Sequence, residues 1–175
     1  MTGFDGRRYL LGQAERFDWV DLWPRVMAAR LQLIEALGDV TEDQARWKPP
    51  AGLIEGEEDG WSILQVARHV VGWSDYAIAN IEATAAGQPS PASLPPRPLA
   101  DGATLAEVRR ALTEVSMRIA SVTERLPATP SEDAVIEHER FGALPSRSWF
   151  AFVRLHDLDH VGQVNGIKAA EGYPS

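Results

Sequence analysis

WFAFVRLHDLDHVGQVNGIKAA, residues 149–170, reads as one amphipathic helix carrying two histidines four residues apart, His156 and His160. Trp149, Phe152, Val153, His156, His160, Gln163, Val164 and Ile167 recur at helical spacing and share a face. The chain has 4 histidines in 175 residues, so this face holds half of them. Residues four apart on an α-helix lie about 40° apart around the axis and about 6 Å apart along it. Two imidazoles at that spacing can converge on one ion, as H-x-x-x-H does in zinc helices. Asp157 stands where a zincin carries its glutamate, which argues against that class of protease. On its own the pair fits equally well as two histidines on a semi-polar helix face.

Three further helices are expected upstream. Trp19, Trp23, Val26, Met27, Ile34 and Leu37 mark the first, with Asp21 as its cap, Pro24 in its first turn and Gly38 as its stop. The second opens on the capping box Ser62/Gln65 and buries Val66, Val70, Trp73, Ala77 and Ile81, ending near Ala86 and Gly87. The third opens on the capping box Thr104/Glu107, and its apolar stripe runs from Leu105 to Leu126. No β-type alternation is long enough to read as a sheet. The expected fold is therefore all-α, a four-helix bundle with long connecting loops. Residues 1–17 form an N-terminal arm, loosely held or at most a short helical turn, and 18–175 form the single bundle domain.

Between these helices lie long connectors. Residues 39–60 contain Pro49-Pro50 and an acidic run, Glu55, Glu57, Glu58 and Asp59, which reads first as a solvated loop. Residues 88–103 are proline-rich, stiff enough to reach along a bundle about 30 Å long. Residues 128–147 contain His138 between Glu137 and Glu139.

His69 lies on the edge of the second helix's stripe, about two turns in. If the second and fourth helices start at the same end, His69, His156 and His160 fall at one depth. Three neutral nitrogen ligands would leave coordination positions open, the arrangement of a catalytic rather than a structural metal site. Positive helix ends and the connectors 39–60 and 128–147 would then overhang that site. Around it, His138 reads as a substrate or supporting group, or as exposed and idle. Asp157 and Asp159 read as acceptors for a histidine N–H or as surface charges. Gln163 reads as a polar contact on the histidine face, Trp73 as core packing before a substrate platform, and Arg68 and Arg154 as solvated.

Composition narrows the function. With 45% hydrophobic residues the chain can bury a core. Its net charge of −8 argues against a nucleic-acid surface. It has no cysteine, which excludes disulfides, thiolate metal sites and a cysteine nucleophile. No run approaches the roughly 18 apolar residues of a membrane span. The segment MTGFDGRRYLLGQAERFDW has no long apolar core, so a signal peptide is not expected and the cytoplasm is.

WSILQVARHVVGW (61–73) and HERFGALPSRSWFAFVRLHDLDHVGQV (138–164) together resemble the DinB/YfiT-like superfamily of metalloenzymes. That family carries a histidine early in helix two after a W-[ST] start, and H-x-x-x-H in helix four, often followed by Gln at the place of Gln163. Its H-P-x-x-G lead-in resembles His138 to Gly142, with Glu139 replacing the proline. The likeness covers roughly residues 18–170. It implies a divalent metal, zinc or nickel, held by His69, His156 and His160, and a homodimer. It also implies a small-molecule substrate and a low-molecular-weight thiol cosubstrate such as mycothiol or bacillithiol. The expected function is a metal-dependent transferase, isomerase or hydrolase in which the metal activates a thiol or water. The competing expectation is a non-catalytic, metal-binding or stress-related homodimeric bundle.

Overall fold

The computed structural model describes residues 5–52, 58–89 and 99–175. Among them are six α-helices and one two-stranded antiparallel sheet, so the protein is mostly helical. The helices are α1 (Gly6–Arg16), α2 (Trp19–Ala36), α3 (Glu42–Arg46), α4 (Ile63–Ala85), α5 (Leu105–Ala120) and α6 (Ser146–Lys168). The strands are β1 (Val135–His138) and β2 (Gly142–Pro145). None of the helices is long and apolar enough to cross a membrane.

The four long helices lie where the apolar stripes place them. Ser62 and Gln65 close a capping box at the start of α4, and Thr104 and Glu107 do so for α5. At the far end of α4, Gly87 adopts φ +69. Its N–H bonds the Thr84 carbonyl and the Gln88 N–H bonds that of Ala83, a Schellman closure that a side chain at this φ would strain. The apolar stripe of α5 continues beyond Ala120 only as a 3-10 turn, Val122–Glu124, in which Val122 stays buried. For α2, Asp18 rather than Asp21 is the cap, accepting the Asp21 N–H at 3.0 Å. Pro24 therefore lies beyond the first turn, inside the helix. Its missing N–H costs one bond, to the carbonyl of Val20, a residue 79% exposed where water can substitute.

Two elements differ from expectation. Residues 6–16 form an 11-residue helix, not a loose arm, with Leu10 fully buried against α6. Its register on α6 is held by Ser148, whose hydroxyl donates to the Leu10 carbonyl at 3.3 Å. Gly6 is required there, since a Cβ would come within 2.6 Å of the Phe141 ring. The 128–147 connector contains the β1–β2 hairpin, with His138 opposite Gly142. Gly142 at φ +67 closes its three-residue loop.

Cross-helix contacts fix the directions. Trp19 meets Phe150, Arg30 meets Asp157 and Asp39 meets Lys168, so α2 and α6 run parallel. His69 meets His160, Trp73 meets Phe152 and Tyr76 meets Trp149, so α4 runs antiparallel to α6. Asp75 pairs with Arg118 and Glu82 with Arg125, so α5 runs parallel to α4. The condition under which the three histidines were expected to share a depth, α4 and α6 starting at one end, is not met. The 128–147 connector enters α6 at the end opposite to the start of α4; among the described residues, 99–104, the parts of the 39–60 connector on either side of 53–57, and the chain's last residues lie at that start. Gln88 closes the last turn of α4, whereas Leu99 lies near its start, where Arg68 bonds the Leu99 carbonyl. The proline-rich reach expected there falls largely on residues 90–98, outside the described residues.

The one fully buried ion pair among the described residues ties α2 to α6. Arg30 donates to both oxygens of Asp157, at 2.8 and 3.0 Å, and to the Ser74 hydroxyl of α4 at 2.8 Å. Both side chains are 0% exposed. Burial pushes the Asp157 carboxyl up to about 6 against the lowering pull of Arg30. Breaking such a pair by removing one partner strands a buried charge. Asp157→Ala is expected to lose about 3–5 kcal/mol in urea unfolding, and Arg30→Met with Asp157→Leu to recover most of it. A loss below about 1 kcal/mol in the single variant would contradict the assigned role.

Candidate metal centre

His69 is the seventh residue of α4, and His156 and His160 are the eleventh and fifteenth of α6. Because the two helices are antiparallel, the early part of α4 lies beside the later part of α6, and the three rings converge. His69 Nε2 stands 3.0 Å from His156 Nε2, which stands 3.2 Å from His160 Nε2. One nitrogen from each ring lies within 4.8 Å of the others, a grouping able to hold a metal ion. Nitrogens bound to one ion at about 2.0–2.1 Å and tetrahedral angles stand about 3.3 Å apart. The two spacings to His156 Nε2, 3.0 and 3.2 Å, lie near that value.

The rings are also in the protonation state a metal needs. Burial pushes the His69 imidazole down to about 4, helped by neighbouring His160 and opposed by Glu58. Burial and the two other histidines hold His156 well below its ordinary value. Burial lowers His160 as well, against the raising effect of Gln163. All three are neutral at physiological pH, and a neutral imidazole is the form that ligates.

Second contacts set which way the rings face. Gln163 Oε1 lies 2.7 Å from His160 Nδ1 and, as a carbonyl oxygen, can only accept. His160 therefore carries its proton on Nδ1 and directs the Nε2 lone pair toward the other two histidines. Trp73 stacks on His156 at 3.7 Å and 11°, fixing that ring's plane, while His156 Nδ1 is buried without a hydrogen-bond partner. Trp61 packs against His69 at 5.4 Å.

The other candidates are placed as follows. Asp157 turns from the histidines to Arg30, and Asp159 is exposed with no hydrogen bond to a histidine. Trp73 is core packing that also backs a site ring. His138 is half-buried, its ring 5.0 Å from both Phe141 and Phe152, and its Nδ1 accepts the Arg140 N–H at 3.1 Å. It thus braces the hairpin and stands apart from the three-nitrogen group. Arg68 is not solvated: it is 7% exposed and bonds the Leu99 carbonyl and Asp101. Arg154 bonds the Tyr9 hydroxyl.

Two features were not legible as site residues. Glu58, read within an acidic loop, brings its carboxylate to 3.8 Å from both His69 Nε2 and His160 Nδ1. Glu55 and Glu57 of the same run lie outside the described residues. Arg30 and Ser74, which lock Asp157 behind His156, carried no signal beyond a charged residue within an apolar stripe.

The DinB superfamily model matches residues 26–164, which include all three histidines. The chain belongs to the DinB superfamily. A search of curated proteins returned no match.

Replacing Gln163 by Leu removes the acceptor that fixes the His160 tautomer. Metal affinity, measured by competition with a chromophoric chelator, is expected to fall about 10–100-fold. Unchanged affinity would show that the tautomer is set elsewhere.

Proposed function

We propose that this protein is a divalent-metal-dependent enzyme whose three histidines hold a zinc or nickel ion with positions left open for a thiol cosubstrate or water. The observation that carries this reading is the convergence of three neutral Nε2 atoms, at 3.0 and 3.2 Å, one of them aimed by Gln163. When bound, such an ion supplies Lewis acidity that stabilises a thiolate or hydroxide near neutral pH.

The chain's own residues do the rest. His69, His156 and His160 would bind the ion, and Gln163 and Trp73 hold the rings in place. Arg30, Ser74 and Asp157 keep the stretch of α6 around His156 fixed. The site opens on the side of His69, whose side chain is 26% exposed, and Glu58, 34% exposed. That opening favours the enzyme over a closed structural site. The absence of cysteine means that a reacting thiol has to come from a cosubstrate.

In this reading α2, α4, α5 and α6 form a four-helix bundle, as in other ligand sites built between facing helices. The same reading makes the protein a cytoplasmic homodimer that acts on a small molecule and not on nucleic acid. Val20 and Leu31 on α2 and Met117 on α5 are large exposed apolar side chains of the kind a second copy covers.

Elemental analysis of purified protein tests the reading. Wild type is expected to carry about one divalent ion per chain, and His156→Ala to carry none. No ion in either, after incubation with zinc or nickel, would overturn it.

A further inference from the structure

Glu58 is held in place by local structure as well as by its neighbours. The Trp61 N–H bonds the Glu58 carbonyl at 3.1 Å, closing a four-residue turn. Gly60 takes φ +73 at its third position, as a type II turn demands. Asp59 pins the turn by accepting the Gly52 N–H at 3.0 and 2.7 Å. Ser62 then caps α4 directly behind it. This brace sets the Glu58 carboxylate across the open side of the histidine group. Its Oε1 is 3.8 Å from His69 Nε2 and its Oε2 is 3.8 Å from His160 Nδ1.

A carboxylate facing neutral imidazoles gains little from them, and its approach to a lone-pair-bearing Nε2 is repulsive. A cation held between Glu58 Oε1 and His69 Nε2 would turn that repulsive contact into an attractive one for both groups. Among the described residues Glu58 brings its carboxylate oxygens within 4 Å of ring nitrogens of two of the three histidines.

We propose that Glu58 is a fourth, exchangeable protein ligand, closing the open side of the three-histidine site at rest and giving way to an anionic cosubstrate. The inference rests on the metal-site reading above. One carboxylate oxygen would bind the ion, while the other stays near the Nδ1–H of His160. On entry of the cosubstrate the bond from Glu58 breaks as the bond from the incoming anion forms, with no net change in oxidation state. The ligand class is a small anion, such as a thiolate, able to replace a carboxylate.

Cobalt(II) loading tests this directly, because its visible absorption reports coordination. Wild type, Glu58→Gln and His156→Ala are titrated with cobalt against a chelator, and azide is then added as the anionic probe. Far-UV circular dichroism checks that each variant is folded. Glu58→Gln is expected to bind cobalt about tenfold more weakly, to change its visible bands, and to bind azide more tightly than wild type. Glu58→Gln with wild-type cobalt affinity and bands, or with weaker binding but unchanged bands, would overturn the ligand role and leave the three-histidine site standing. Wild type and His156→Ala both failing to bind cobalt would instead remove the site itself.

Discussion

Three imidazoles, two of them buried and one half-buried, whose Nε2 atoms meet at 3.0 and 3.2 Å are the constraint around which the rest of the structure is arranged. Neutral rings cannot all donate to one another, and burial keeps them neutral. The scaffold has to hold such a convergence, and a metal ion is a group that could satisfy it. The scaffold here is the antiparallel contact of α4 and α6, with α2 running alongside α6.

The polar groups behind the site serve that constraint. Asp157 follows His156 in sequence and is locked to Arg30, which also bonds Ser74, so one network joins three helices at the level of the histidines. A buried ion pair adds little net stability over apolar packing, but it admits one register. A shift of α6 by a single residue would unpair Arg30 and turn His156 away from His69. Gln163 and Trp73 act on the rings themselves, one through the tautomer and the other through the ring plane.

Much of this was legible in the chain. Capping boxes and unbroken apolar stripes marked α4 and α5, and the H-x-x-x-H spacing marked one face of α6. Helix direction was not legible, because every connector is long enough to join either end. Helices α4 and α6 do not start at one end, and the histidines meet because His69 lies early in one helix and His160 late in the other. The hairpin was hidden because strands of four residues show no alternation. Helix α1 was hidden because its buried stripe is only Gly6, Leu10 and Ala14 among charged residues. Asp157, one residue from His156, sits about 100° around the helix from it, so its turn toward α2 follows from helix geometry. Its partner Arg30, 127 residues away, does not. Local composition likewise could not separate Glu58, turned toward the site, from the other acidic residues of the same run.

The DinB superfamily match and the three-histidine group are both compatible with metal binding. The central claim is that three of the four histidines act as one neutral ligand set. Long-range proton–nitrogen NMR of the imidazoles, in metal-free protein and after one equivalent of zinc, tests it most directly. The account predicts that His69, His156 and His160 stay neutral through the ordinary histidine range near 6.5 and that their Nε2 resonances shift together on zinc addition, while His138 stays in place. Histidines that protonate independently near 6.5 and do not respond to zinc would contradict it.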